Sequence, residues 1–406
     1  MQADVGIIGG GASGIAAAIA AGRGGERVLL LESMEQIGKK LLATGNGRCN
    51  LINSGKPVYY GDPEFAALVT GSNPVDELTA FWHSLGLFLR YDREGRGYPF
   101  TGMASTVVEV LKAEMKRLPV EICTKAAVAG IRKDNHGFLI QTQKGEMIPV
   151  KRLILATGGA AQPKLGGNQN AWSWLQSLGH RMIPARPSLV PLRTDSKSIS
   201  GLAGLRVRGQ VRLEAGDRTL HAETGEVLFT EHGVSGICVM QCSRFYSEAD
   251  DIRLRINLMD GLFASRKELE QELKRRMNMM PDEEPLDLLR GLCAAKMGYA
   301  VCKQAGLPLR GEKNRCMTGE QIGRLSDCLM GYTVHVTGTE GFEKAQVMAG
   351  GAACGEFDPR NMESRKCAGL HVTGELLNVD GDCGGFNLMF AFLSGIRAGE
   401  NGRQRV

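Results

Sequence analysis

Gly9, Gly11 and Gly14 are spaced G-x-G-x-x-G in "VGIIGGGASGIAAAIAAG" (5–22), and Glu32 stands 18 residues after the last of them. That spacing serves anion binding by backbone. Gly9 permits a tight turn, and Gly11 lets a pyrophosphate approach the main chain. Gly14 lets the following helix pack closely on the preceding strand, so that the helix N-terminus, through Ala12 and Ser13, faces the anion. A carboxylate at Glu32, followed by Ser33, is placed to accept hydrogen bonds from both hydroxyls of a ribose. Pyrophosphate and ribose together are the features of a dinucleotide, and on these residues NAD and FAD both fit.

The rest of the chain favours FAD. "RLILATGGAAQP" (152–163) is an apolar strand running through Ala156 into Thr157, Gly158 and Gly159. "GLHVTGELLNVDGDCGGFNLMFAFLSGIRAG" (369–399) is a strand, the pair Gly374-Glu375, a glycine pair and an apolar helix. This order resembles dinucleotide folds of the glutathione-reductase type. The resemblance implies that Glu375 binds the ribityl chain. It also implies that the helix opening at Gly385, Phe386, Asn387 and Leu388 aims backbone N–H groups at the flavin N1/C2=O edge, where a positive helix end stabilises the anionic reduced ring. Val128 falls where this fold class contacts adenine with backbone. No covalent attachment motif is present, so the FAD is expected to be non-covalent.

"GKKLLATGNGRCNLIN" (38–53) carries small, amide and cationic residues where a core segment would carry large apolar ones. With "GRGYPFTGMASTVV" (95–108), "GEVLFTEHGVSG" (225–236), "HVTGTEGFEKAQVMAGG" (335–351) and "GELLNVDGDCGGFNLMFAFLSG" (374–395), it resembles the bacterial BaiN/YhiN-type flavoprotein family. That family holds the 3-dehydro-bile acid delta(4,6)-reductases and the aminoacetone oxidases. A loop leaving the ribose acid then has to pass the pyrophosphate and run under the isoalloxazine. Lys39 or Lys40 counters phosphate charge beside Leu41, and Gly45 and Gly47 let backbone approach a flat ring. Asn46 and Asn50 donate and accept at its polar edge. Arg48 serves substrate, flavin or fold, and Cys49 reads as structural.

The resemblance implies hydride reduction of conjugated C=C bonds in a 3-oxo-4,6-diene bile acid or steroid, first at C6=C7 and then at C4=C5. The resemblance makes NAD(P)H the expected transient electron donor. Such a reaction needs a donor for the enolate oxygen and an acid for carbon. Tyr98 is the candidate for donor or acid, and Arg96 for holding the substrate carboxylate. Alternatives are an aminoacetone-type amine oxidase releasing peroxide and, in a different class, a flavoprotein that binds or modifies RNA. No second G-x-G-x-x-G is present, so either NAD(P)H docks briefly at the flavin without a full fold of its own, or another protein or O₂ exchanges the electrons.

These residues need a sizeable frame. The chain has 406 residues, beyond the roughly 250–300 at which single cores stop growing. Its 54 glycines are about twice the usual ~7%, which calls for many tight turns and close approaches. Forty-nine basic and 44 acidic residues leave a net charge of only +5, far from a nucleic-acid-binding signature, so the expected partner is a small molecule and not nucleic acid. Eleven cysteines without a regular framework predict reduced thiols in a cytoplasmic protein, with no metal site. Cys238 and Cys242, four apart, read as a core face. Residues 5–22 are dominated by glycine and alanine and lack a basic leader, so neither a signal peptide nor membrane contact is expected. The oligomeric state is left open.

The expected fold is α/β: a glutathione-reductase-type Rossmann-like FAD domain with an inserted β-barrel-like domain and a helical domain. The FAD domain would be discontinuous, 1–190 and 347–406. The barrel-like insert would take 191–262 and 332–346, with an "AGDR" hairpin. Helices would fill 263–331, with capping boxes at Ser265/Glu268 and Thr318/Gln321. "NHG" and "KGE" turns predict a strand meander before residue 152.

Overall fold

The computed structural model describes residues 3–248 and 251–401. The chain forms two compact units, one of residues up to Pro187 with those from Ala345 on, the other of Ser188–Lys344.

In the first unit the strand Ala3–Ile8 lies between Val28–Leu31 and Met147–Leu155, parallel to both. Val120–Cys123 extends the sheet beyond Val28–Leu31, and Leu370–Val372 joins the far half of Met147–Leu155, again in parallel. Parallel strands covered on both faces are continuous apolar runs, which is why "VLLL" and "LIL" fit here. The near half of Met147–Leu155 pairs instead with Gly137–Thr142, and that strand with Val128–Asp134, both antiparallel. The meander expected from the turn residues is therefore present.

The small-residue helix Ala12–Arg23 packs on the C-terminal helix Phe386–Glu400. A Cβ at Gly395 would sit 2.2 Å from the Ser13 carbonyl oxygen, and one at Gly399 2.5 Å from that of Ala17. Only glycine allows this approach. Since Ser13 meets Gly395 and Ala17 meets Gly399, the two helices run in the same direction within one layer.

In the second unit six strands close a barrel: Leu192–Thr194, Gly233–Ser235, Arg218–Phe229, Arg206–Ala215, Ile252–Asn257 and Tyr332–Thr339, the last pairing back to the first. The expected hairpin turns at Gly216 and Asp217, with Ala215 paired to Arg218. The helices Arg266–Met279 and Gly319–Met330 start at Ser265 and Thr318, whose hydroxyls accept from Glu268 N and Gln321 N. Gln321 Oε1 returns a bond to Thr318 N at 2.7 Å, while Glu268 reaches Ala264 N instead. Leu269, Leu273, Ile322 and Leu325 of these helices lie in the same apolar cluster as the barrel's Leu254 and Ile256, so barrel and helices share one core. Cys238 and Cys242, on the short helix Ile237–Ser243, lie in it too. The fold class read from the sequence is the one observed. Among the described residues no helix is long and apolar enough to cross a membrane, and no cluster of three His, Cys, Asp or Glu could hold a metal ion.

Candidate dinucleotide and substrate site

The three signature glycines do different things. Gly9 has φ +108°, and a Cβ there would lie 2.3 Å from the Ala156 carbonyl oxygen. A Cβ on Gly14 would lie 1.9 Å from the Gly9 oxygen, while one on Gly11 would meet nothing within 4 Å. Two glycines are thus required by packing and the third borders open space. The helix that follows has no side-chain cap and no acid in its first turn. Its unpaired N–H groups and positive dipole end face that space, as an anion requires.

Glu32 is oriented by the backbone. Its Oε2 accepts from Gly10 N at 2.7 Å, and its Oε1 from Met34 N at 2.7 Å and Ser33 Oγ at 3.1 Å. A carboxylate offers about four acceptor positions, so capacity remains for a ribose hydroxyl. Ala126 N donates to the Glu32 carbonyl, which brings the start of the Val128 strand beside the acid. Val128 itself is buried.

Glu375 closes the other side. Its Oε2 accepts from Gly159 N at 3.2 Å and from Lys40 Nζ at 3.3 Å, and its Oε1 from Met348 N at 2.7 Å. Gly158, at φ +72°, turns the chain out of the Ala156–Thr157 strand end toward it. Gly374, at φ +64°, sets Glu375 against the first turn of the Ala12–Arg23 helix, where a Cβ would lie 2.7 Å from Ser13 Oγ. Lys40 is therefore paired with the acid that the family resemblance places at the ribityl chain. Lys39 is half-buried, and Leu41 is a core residue.

The loop through Gly45, Asn46 and Gly47 has three consecutive left-handed residues, φ +56°, +54° and +82°. Glycine and asparagine are the types that tolerate this region. All three are exposed, and space beside Gly47 is open. The loop returns to the start of the Phe386–Glu400 helix at Asn50. A Cβ at Gly385 would lie 2.8 Å from Asn50 Oδ1, and that oxygen is buried with no hydrogen-bond partner. The helix itself has no side-chain cap. An orphaned acceptor beside uncapped N–H donors is what a ring edge carrying both N–H and C=O groups would satisfy, so the residues present fit a flavin. Phe386 packs edge-on to Tyr59, and Leu388 packs partly buried against the core. The Asn387 side chain is used structurally: it accepts from Gly381 N and donates to Gly381 O, each at 2.8 Å.

Tyr98 and Arg48 come together. The Arg48 guanidinium lies 4.6 Å from the centre of the Tyr98 ring, and Gly45 backs that ring's edge. Among the described residues the Tyr98 hydroxyl has no hydrogen-bond partner. Arg96 is engaged elsewhere, in ion pairs with Glu94 and, at 4.0 Å, Asp92. Cys49 is fully buried at φ +59°, and burial pushes its thiol up to about 12. It is not a thiolate at neutral pH.

Two residues that sequence reasoning passed over belong here. Asn53 is buried, and its Nδ2 donates to the Gly384 carbonyl at 2.8 Å, holding the glycine pair in place. Met348 supplies the backbone donor to Glu375, and its side chain would clash with any Cβ on Gly159. Both lie inside the "NLIN" and "VMAGG" blocks, and that position in otherwise chemical segments was the available signal.

The chain is similar to known proteins over nearly its whole length. The model of the HI0933-like protein Rossmann domain matches residues 3–401. The chain is 36% identical, over 99% of both sequences, to the 3-dehydro-bile acid delta(4,6)-reductase of Clostridium scindens. It is 28% identical to the ribosomal RNA dihydrouridine synthase of Escherichia coli, over 96% of this chain and 95% of that one. Among solved structures, an open-conformation flavocytochrome c3 fumarate reductase matches 99% of this chain and 78% of its own at TM-score 0.51 and 16% identity. The 3-ketosteroid-delta4-(5alpha)-dehydrogenase of Rhodococcus jostii matches 100% and 97% at TM-score 0.50 and 18% identity. With an RNA-named relative at this coverage, the expectation of no nucleic-acid partner loses its support. Net charge is a whole-chain sum and is blind to where the cations stand. The chain belongs to the HI0933-like family of Rossmann-domain proteins and has a Rossmann-type FAD-binding fold.

Proposed function

We propose that this FAD-dependent oxidoreductase reduces carbon–carbon double bonds conjugated to a carbonyl, with NAD(P)H as the electron source. The observation that carries the reading is Tyr98, its hydroxyl free and its ring under the Arg48 guanidinium, beside the loop that meets the orphaned Asn50 acceptor and the uncapped Phe386–Glu400 helix. FAD, when bound, supplies the hydride. Glu32 and the Gly11 turn hold its ribose and pyrophosphate, and Lys40 neutralises Glu375 so that the acid can sit near phosphate. Tyr98 donates a hydrogen bond to the substrate carbonyl, which gains negative charge as hydride arrives at the far end of the conjugated system. The cation over its ring favours that charge. Protonation of carbon then completes the addition of H⁻ and H⁺ across the bond.

The first candidate substrate is a 3-oxo bile acid or steroid with 4,6 unsaturation, supported by the 36% identical relative. The second is uracil in RNA, whose 5,6 bond is conjugated to its 4-carbonyl in the same sense. It is supported by the dihydrouridine synthase relatives and favoured by an exposed sheet face on which arginines alternate with aromatic rings. The test is anaerobic reduction of the flavin by NADH and by NADPH, followed by mixing with a 3-oxo-4,6-diene bile acid, a uridine-containing RNA or air. Reoxidation by one of the conjugated acceptors faster than by air is expected. If aminoacetone is oxidised with peroxide release while both conjugated acceptors leave the reduced flavin unchanged, the protein is an amine oxidase instead.

A further inference from the structure

The strand Leu89–Tyr91 pairs with Arg96–Pro99, Arg90 opposite Tyr98, and Phe100 N extends the ladder to the Phe88 carbonyl at 2.8 Å. Side chains alternate between faces with period two, so Phe88, Arg90, Tyr98 and Phe100 share one face. Each of its three rings has a guanidinium or an imidazole beside it. Arg48 lies 4.6 Å from the Tyr98 ring centre and Arg90 4.6 Å from that of Phe100, while His83 stands 5.1 Å from Phe88. Phe88 is 63% exposed and Phe100 60%. Neither Arg48 nor Arg90 makes an ion pair among the described residues, in contrast to Arg96, six positions after Arg90 in the same hairpin.

We propose that this face binds single-stranded RNA, bases stacking on Phe88 and Phe100 and phosphates lying on Arg90 and Arg48. This rests on the RNA reading of the acceptor. Exposed rings interleaved with uncompensated guanidinium groups match a strand in which bases alternate with anionic phosphates. A protein helix docking here would want a continuous apolar stripe, which the arginines interrupt. The strand must be single because paired bases hide their faces in the stack. The face is also continuous with the candidate site. The Tyr98 ring borders Gly45, and Arg48 belongs to the same loop as Asn46, so a strand laid along the rings leads to the loop where a uracil would be presented.

The test uses the holoprotein and a fluorescein-labelled, unstructured uridine-rich 12-mer RNA, read by anisotropy across a salt series. Phe88→Ala and Phe100→Ala are each expected to weaken binding about 10-fold, the loss of one base–ring stack. Arg90→Gln should lower the slope of log affinity against log salt by about one. Flavin content, melting temperature and the rate of flavin reduction by NAD(P)H should stay at wild-type values, and Leu68→Ala, an exposed apolar residue elsewhere, should change nothing. Wild-type protein that does not bind the 12-mer, or variants that bind it as well as wild type, would overturn the proposal. So would equal, equally variant-sensitive binding to phosphatidylglycerol vesicles. If the variants lose RNA while wild type reduces no uridine, the face stands and the RNA reading of the acceptor falls. If uridine is reduced and the variants bind normally, the reading stands and the face falls.

Discussion

Lys40 Nζ and Glu375 Oε2 lie 3.3 Å apart although 335 positions separate the two residues. The same carboxylate accepts from Gly159 N and Met348 N, so it ties together the loop after Glu32, the end of the central strand and the C-terminal segment. Glu375→Ala leaves those two N–H groups without acceptors. Loss of about 1–3 kcal/mol is expected. Thermal melting of the flavin-free protein should show it, and flavin release on dilution should rise with it. A variant that melts and retains flavin like the wild type would separate Glu375 from both roles.

Glu32→Ala should weaken FAD by about 2–3 kcal/mol, since charged hydrogen bonds to ribose are lost. Glu32→Gln should fall between, because its amide still accepts from one of Gly10 N and Met34 N. Flavin fluorescence after serial dilution reads this. Unchanged occupancy of Glu32→Ala would exclude the ribose role.

Tyr98→Phe should slow reoxidation of the reduced enzyme by the conjugated acceptor 10-fold or more, in line with the roughly 10²–10³-fold cost of losing a donor to a developing oxyanion. Reduction by NAD(P)H should slow less. Stopped-flow absorbance separates the two half-reactions, and equal slowing of both would mean that the hydroxyl acts elsewhere.

His371, in the central sheet, is 1% exposed, and burial lowers its pKa from the ordinary histidine value to about 4, against the opposing hydrogen bond to the Asn361 carbonyl. It is neutral in the folded protein near neutral pH. The unfolded chain takes up the proton first, near pH ~6.5, so the stability this residue contributes is full above that value and is lost as pH falls toward 4. Burial lowers the His180 pKa as well, and it adds in the same direction. Melting temperatures between pH 7.5 and 4.5 should fall with decreasing pH, and His371→Gln should flatten the slope. A slope unchanged in that variant would assign the acid sensitivity to other groups.

Cys49, buried with its thiol pushed up to about 12, should resist iodoacetamide at pH 8, while the exposed Cys316 should react. Cys49→Ser should keep flavin reduction by NAD(P)H at the wild-type rate. A variant that retains FAD but loses reduction would make Cys49 a redox participant.

Features governed by short-range stereochemistry were legible in the sequence. The G-x-G-x-x-G turn with its acid, the meander's turns, the "AGDR" hairpin and the two helix starts at Ser265 and Thr318 each depend on residues a few positions apart, whose φ, ψ and capping options are set locally. The barrel and the helices could likewise be read from periods of two and 3.6. The partnerships inside the site could not. Lys40 with Glu375, Asn50 against Gly385 and Asn53 on Gly384 join segments more than 300 residues apart, and they exist because Gly395 and Gly399 let one helix lie directly on the backbone of another. Arg48 and Arg96 look equivalent in sequence. Packing leaves the first over the Tyr98 ring with its charge available and surrounds the second with carboxylates, and no spacing rule distinguishes them, because which acid reaches which guanidinium is decided by how loops meet in space.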